Sequence, residues 1–218
     1  MKLSLLLFAL LVAAPAHADV GRDAALDAVR ALVEGPVAAR WQAGSAAPHR
    51  LSGFISRPYD GSPAAVAAAF LGDLAPVFGF DARELRVIGQ ETIAGVAAVR
   101  LEQRVDGAPV FGRTTVVTVE AGRATSVTGT PEPILLAPRT RELSGREAIT
   151  AALEAIEVVE RDLAAPPVAS RVVMAAGAEG RLAWRVSAVV VPLSVHLTVI
   201  VDAETGAVLL VDNDVRHG

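Results

Sequence analysis

Cysteine is absent from all 218 residues, so no disulfide can staple this fold and no thiolate can act as nucleophile or metal ligand. Lysine occurs once, at Lys2, which rules out a Ser-x-x-Lys dyad further along the chain. Aromatic residues make up 4% of the sequence, too few for rows of base-stacking platforms. The formal net charge of −4 offers no basic face to a phosphate backbone, and nucleic-acid binding is not expected. No His-Glu-x-x-His, Gly-x-Ser-x-Gly, Asp-Thr-Gly or Asp-Ser-Gly string occurs, and no glycine-rich phosphate loop. Zincin, serine-hydrolase, aspartic-protease and P-loop chemistry are therefore all without their sequence signatures.

Long apolar runs are equally scarce. One stands at the start, Leu3 to Ala14 behind Met1-Lys2, and Ala16-His17-Ala18 follows it. It is shorter than the ~20 residues that cross a bilayer, and its charged start, apolar middle and small-x-small end read as a secretory signal over residues 1–18. The mature chain is expected to begin at Asp19 and to be secreted or periplasmic, with no membrane anchor after signal cleavage. About 200 residues then remain, enough for one large domain or two small ones.

Periodicity divides that remainder into two similar halves. Leu26, Val29 and Leu32 or Val33 share a helical stripe that Glu34-Gly35-Pro36 ends. A turn-rich ribbon from Arg40 to Gly53 carries Trp41. Ser62-Pro63 is a helix entry, and Val66, Phe70, Leu71, Leu74 and Phe78 recur at helical spacing up to Gly79. Strands are expected at Leu85–Ile93, Val96–Val105, Val110–Val119 and Ala124–Thr128, with Asp106-Gly107 as one tight turn. Thr130 to Pro138 is an extended, proline-rich connection. Ser144-Gly145-Arg146-Glu147 is a capping box opening a helix through Ile149, Leu153 and Ile156. Strands at Arg171–Met174, Leu182–Val191, Val195–Asp202 and Ala207–Val211 complete the second half, the last pair joined by Ala203-Glu204-Thr205-Gly206. The fold class is α+β, in two units, each a helix packed on an antiparallel sheet.

Candidate chemistry is thin. His49, His196 and His217 stand far apart without carboxylate company, whereas zinc needs three or four ligands at helix or hairpin spacing. Asp202-Ala203-Glu204 and Asp212-Asn213-Asp214 lack the ligand number of a calcium loop and read as a turn and a charged tail. Trp41 and Trp184 suit packing better than a ligand cage. The residues name no catalytic group, metal or cofactor, and the protein is expected not to be an enzyme.

Leu101 to Gly112, with Asp106, Gly107, Pro109, Val110, Phe111 and Gly112, resembles the hallmark of the fungalysin/thermolysin propeptide (FTP) domain, found in prosegments of secreted zinc metallopeptidases. Here Val105 stands where that pattern commonly has an aromatic, and Asp106 where it has an amide. The second half resembles a PepSY domain at Leu143 to Ile149, at Leu182 to Val186 and at Val199 to Val208, which includes Asp202, Thr205 and Gly206. The two resemblances imply cystatin-like FTP and PepSY folds and this division: 1–18 signal peptide, 19–129 helix, ribbon and FTP-like domain, 130–141 proline-rich linker, 142–218 PepSY-like domain with a short tail. They imply a stand-alone propeptide-like protein that inhibits a secreted zinc metallopeptidase or assists its folding. The tail Asn213, Asp214, Val215, Arg216, His217 is the segment expected to approach the protease. A non-catalytic protein-binding module, or the remnant of a precursor that lost its catalytic half, are the other readings.

Overall fold

The computed structural model describes residues 16–191 and 195–213, with side chains from residue 21 on. Helix α1 (Ala16–Leu32) begins within Ala16-His17-Ala18, ahead of the expected stripe at Leu26, and runs as far as Leu32. Val29 is its buried contact, with Leu26 and Leu32 half-buried beside it. It is followed by β1 (Val33–Glu34), β2 (Ala38–Arg40), β3 (Arg50–Ser52) and β4 (Ile55–Ser56). Glu34 thus does not close the helix but pairs with Ile55 in a small two-stranded ribbon.

Helix α2 (Pro63–Phe78) forms for the reasons its sequence gives. The Ser62 hydroxyl accepts from the Ala65 N–H, Pro63 pre-sets the first turn, and Gly79 at φ 75° caps the end by donating to the Ala75 carbonyl. Its apolar stripe, Val66, Phe70, Leu71, Leu74 and Phe78, is wholly buried. That stripe lies on β6 (Val96–Val105), β7 (Ala108–Glu120) and β8 (Arg123–Thr128), with β5 (Leu85–Ile93) outside β6. The meander β5–β6–β7–β8 is joined by three two-residue turns, Ala94-Gly95, Asp106-Gly107 and Ala121-Gly122, in which both residues have positive φ. Such turns twist with the strands they join, which is why glycine sits second in each.

In the second half β9 (Leu135–Leu136) precedes α3 (Gly145–Ala155), then β10 (Val168–Ala176), β11 (Glu179–Val190), β12 (Val195–Asp202) and β13 (Val208–Asn213) form an antiparallel ladder. Ala148 and Ala152 of α3 lie on Val186, Val199 and Val201 of that ladder. The class is α+β, with mixed, mostly antiparallel sheets. The antiparallel ladders of the two units are hydrogen-bonded into one path, because β7 meets β10 in parallel at Val110 and Val173. β9 adds a second parallel contact, on β11 at Glu179 and Gly180.

Candidate functional site: the signature hairpin and the joint it makes

The Asp106-Gly107 hairpin carries the most information in the sequence and also has the least regular geometry in the sheet. Asp106 and Gly107, at φ 51° and 75°, turn the chain, so that Val105 faces Ala108 and Arg104 faces Pro109. Beyond that the ladder breaks. The next pair is Glu102 with Thr114, so Gln103 alone on β6 stands opposite Val110, Phe111, Gly112 and Arg113 on β7. The surplus chain bulges out, with Gly112 at φ 70°, a value that L side chains rarely adopt. Freed from β6, Val110 pairs with Val173 of β10. The Pro-Val-Phe-Gly string is therefore the device that passes β7 from one half of the sheet to the other.

Underneath the bulge Val105, Ala108 and Val110 are buried together with Ile134, Val173, Leu182 and Ala203 of the second half. Gly180 belongs to the same fit, since a Cβ there would lie 2.6 Å from the Ile134 side chain. The Phe111 ring is not in the core of the first half; half-buried, it packs with Met174 and Leu210 on Val172, Ala183 and Ile200 of the second half of the sheet. Alternation along a bulged strand fails by one residue per inserted residue, so Phe111 is turned away from α2.

Residues 130–141 run as a strap over this joint, and Glu132 is its anchor. One carboxylate oxygen accepts from the Ser45 hydroxyl and from the Ala46 and Ala47 N–H groups at 2.8 and 3.1 Å. The other accepts from Arg113 at 3.0 Å, whose second nitrogen donates to the Gly177 carbonyl, also at 3.0 Å. Burial alone raises the Glu132 pKa. The Ser45 and backbone donors and the Arg113 charge outweigh it, and the net shift is downward. Gln103, left without a β7 partner by the bulge, donates from its side chain to the Glu132 carbonyl at 2.8 Å and to Glu84 at 3.0 Å. A depression of about 350 Å³ above the strap is lined by Gln42, Ser45, His49, Arg113, Thr114 and Glu132 among others. Its two strongest charges, Arg113 and Glu132, are turned on each other, which leaves little for a ligand.

The second motif closes another junction. The Asp202 carboxylate accepts from the Glu204 and Thr205 N–H groups and from the Thr205 hydroxyl, at 2.8 to 3.0 Å. Burial opposes the charge, but these donors hold the Asp202 pKa below its ordinary value. Gly206, at φ 79°, completes the turn. Glu204 then accepts from the Thr140 N–H and hydroxyl at 2.9 and 2.8 Å, and Leu143 donates to the Ala203 carbonyl. Trp184 donates its indole N–H to the Leu143 carbonyl at 2.9 Å, and its ring lies against Gly145. The three segments that resemble a PepSY domain thus meet where α3 begins.

Of the remaining candidates, Trp41 packs half-buried on the first core with Arg22 stacked 4.9 Å from its ring. His49 is exposed at the ribbon. His196 lies 2.6 Å from the Ser187 hydroxyl across β11 and β12, on an exposed surface where water competes for that bond. Asn213 is not tail: it pairs with Leu197 as the last residue of β13. Asp214, Val215, Arg216 and His217 lie outside the described residues. Among the described residues no three His, Cys, Asp or Glu side chains are grouped as metal ligands. Glu132, Gln103, Arg113, Arg139, Glu142 and Arg171 were not singled out from the sequence. Only Glu132 left a trace there, as a charge between two prolines in an extended run.

Comparison with known proteins agrees with the hairpin. A family model described as the fungalysin/thermolysin propeptide motif matches residues 83–131, the span of the β5–β8 meander. No curated protein matches. A solved structure, the Bacillus megaterium YpeB C-terminal domain, aligns at 8% identity and a TM-score of 0.40, over 89% of this chain and 96% of that one. A likeness that small supports no statement about activity. The chain carries a propeptide motif of the type that accompanies metallopeptidases, set in an α+β fold.

Proposed function

We propose that this protein is an exported regulator of a secreted zinc metallopeptidase, binding the enzyme in trans to inhibit it, to assist its folding, or both. The observation that carries this reading is the propeptide motif matched over residues 83–131. Complementary surface does the work in such a protein, and no side chain need react. Two strand edges are available for that purpose. Among the described residues β5 pairs on one side only, with β6, and Val87, Ile88 and Ile93 along it are 45%, 52% and 69% exposed. β13 ends the sheet path in the second half, with Leu209 and Val211 exposed. An extended segment of a partner gains ladder hydrogen bonds from such an edge and specificity from its side chains. The tail after β13 is the second proposed contact.

The test uses residues 19–218 and a thermolysin-type peptidase secreted by the same organism. Slowed hydrolysis of a peptide substrate, or a higher yield of refolded peptidase, is the expected result. A protein that neither binds nor alters any co-secreted metallopeptidase refutes the reading and leaves the non-catalytic binding module in its place. The same material, isolated after export, should begin at Asp19; soluble exported protein that retains Met1 is the opposing result.

A further inference from the structure

The joint between the two halves of the sheet is covered by four charges from three parts of the chain. Asp106 comes from the hairpin tip, Arg139 from the strap and Glu142 from the residue that follows it, and Arg171 from β10. Arg139 lies 3.0 Å from Asp106 and 3.5 Å from Glu142, and Arg171 lies 3.6 Å from Asp106 and 3.1 Å from Glu142. The carboxylates and guanidiniums alternate, so the four form a closed ring. Below it, the first half contributes only Val105, Ala108 and Val110 to the shared apolar cluster. Apolar contact is not directional; this plug, together with the Phe111 ring on Val172, Ala183 and Ile200, holds the halves together without by itself fixing their angle. Arginine–carboxylate hydrogen bonds are directional, because the guanidinium N–H donors are fixed in one plane, and the ring holds two of them, Arg139 donating to Asp106 at 3.0 Å and Arg171 to Glu142 at 3.3 Å.

We propose that this ring is a latch: it sets the angle between the two halves of the sheet, and the halves rock about the apolar plug when it is open. The side chains are 29% to 51% exposed, so the latch is within reach of salt or of a partner's charges. At ~1 M salt the screening length falls to ~3 Å, comparable with the ring's own separations. Small interfaces between compact units leave relative motion as the default, and here the ring opposes it alongside the Val110–Val173 pair and the Arg113–Gly177 hydrogen bond.

The absence of cysteine makes the test clean. Thr92→Cys on β5 and Glu154→Cys on α3, both exposed, carry a pair of spin labels on otherwise intact residues 19–218. Pulsed dipolar spectroscopy then gives the distribution of distances between the halves. The parent is expected to show one narrow distribution at low salt. Asp106→Asn keeps the turn, since Asn-Gly suits two positive-φ residues, and removes only the charge; it should broaden the distribution about twofold, as ~1 M salt should in the parent. Arg171→Gln should broaden it equally, and the double variant no further, because both open one ring. Arg100→Gln breaks a pair with Glu91 remote from the joint and should change nothing. A distribution as narrow in Asp106→Asn and Arg171→Gln as in the parent, with circular dichroism unchanged, overturns the proposal. So does a double variant whose broadening is the sum of the singles.

Discussion

Glu132 shows how one buried carboxylate can hold three segments at once. Its partners are the ribbon at Ser45–Ala47 and Arg113 of the bulge, which itself reaches Gly177. Glu132→Ala leaves two amide donors and one nitrogen of the partly buried Arg113 guanidinium without an acceptor, and is expected to cost about 2–4 kcal/mol in denaturant unfolding. Glu132→Gln keeps the shape and most amide contacts, and should cost less. Phe111 is a different case, because its ring is half-buried on the second sheet. Phe111→Ala should cost about 1–2 kcal/mol, below the usual value for a fully buried ring. The loss should appear as faster amide exchange at Val172, Ala183 and Ile200; faster exchange confined to α2 and β6 would contradict this placement.

At the scale of the element, local signals and their geometry agree at α3. The Ser144 hydroxyl accepts from the Glu147 N–H, and the Glu147 carboxylate accepts from the Ser144 N–H at 2.7 Å. Ser144→Ala should destabilise by about 1 kcal/mol in chemical unfolding. Strand β8 ends under a sterner constraint. Gly129 lies at φ 70°, and a Cβ there would sit 2.2 Å from the Thr114 carbonyl oxygen. Its own N–H and carbonyl are bound by His49 and Thr115. Gly129→Ala is therefore expected to cost at least about 2 kcal/mol, whereas Gly44→Ala, with open space around it but a similar φ, should cost less. Comparable thermal shifts for the two would show that backbone strain, not the close approach, sets the penalty. The β13 edge also determines where the tail can be cut: deletion from Asp214 spares the Asn213–Leu197 pair, and deletion from Asn213 does not.

For the whole molecule, pH is the informative variable. Glu132 and Asp202 both have folded pKa values held below the ordinary carboxylate range. A depressed folded pKa contributes stability that is complete above the unfolded value and is lost as pH falls through the folded one. Stability should thus be flat near neutrality and decline in acid, below the ordinary Asp and Glu values. Glu132→Gln should flatten that decline, measured as the urea midpoint against pH. An unchanged acid limb in this variant would assign the decline to other groups. The joint between the halves lies between these two sites, so acid should loosen it from both sides.

Much of this protein is determined by local sequence. The strands Leu85–Ile93 and Val96–Val105, the helix from Pro63 and the capped helix after Ser144 follow from alternation, helical spacing and capping chemistry, which act over a few residues. The Asp106-Gly107 turn is equally local, since only its own backbone must take positive φ. The bulge from Val110 to Arg113, the parallel contact with Val173, the place of Phe111 and the burial of Glu132 were decided by the tertiary structure. Each depends on partners far along the chain: Val173 on Val110, Ser45 on Glu132, Arg139 and Arg171 on Asp106. A lone glutamate between prolines, or an arginine in an alternating strand, carries no mark of which opposite charge will fold against it. Periodicity reports which face of an element is buried; it does not report which element buries it.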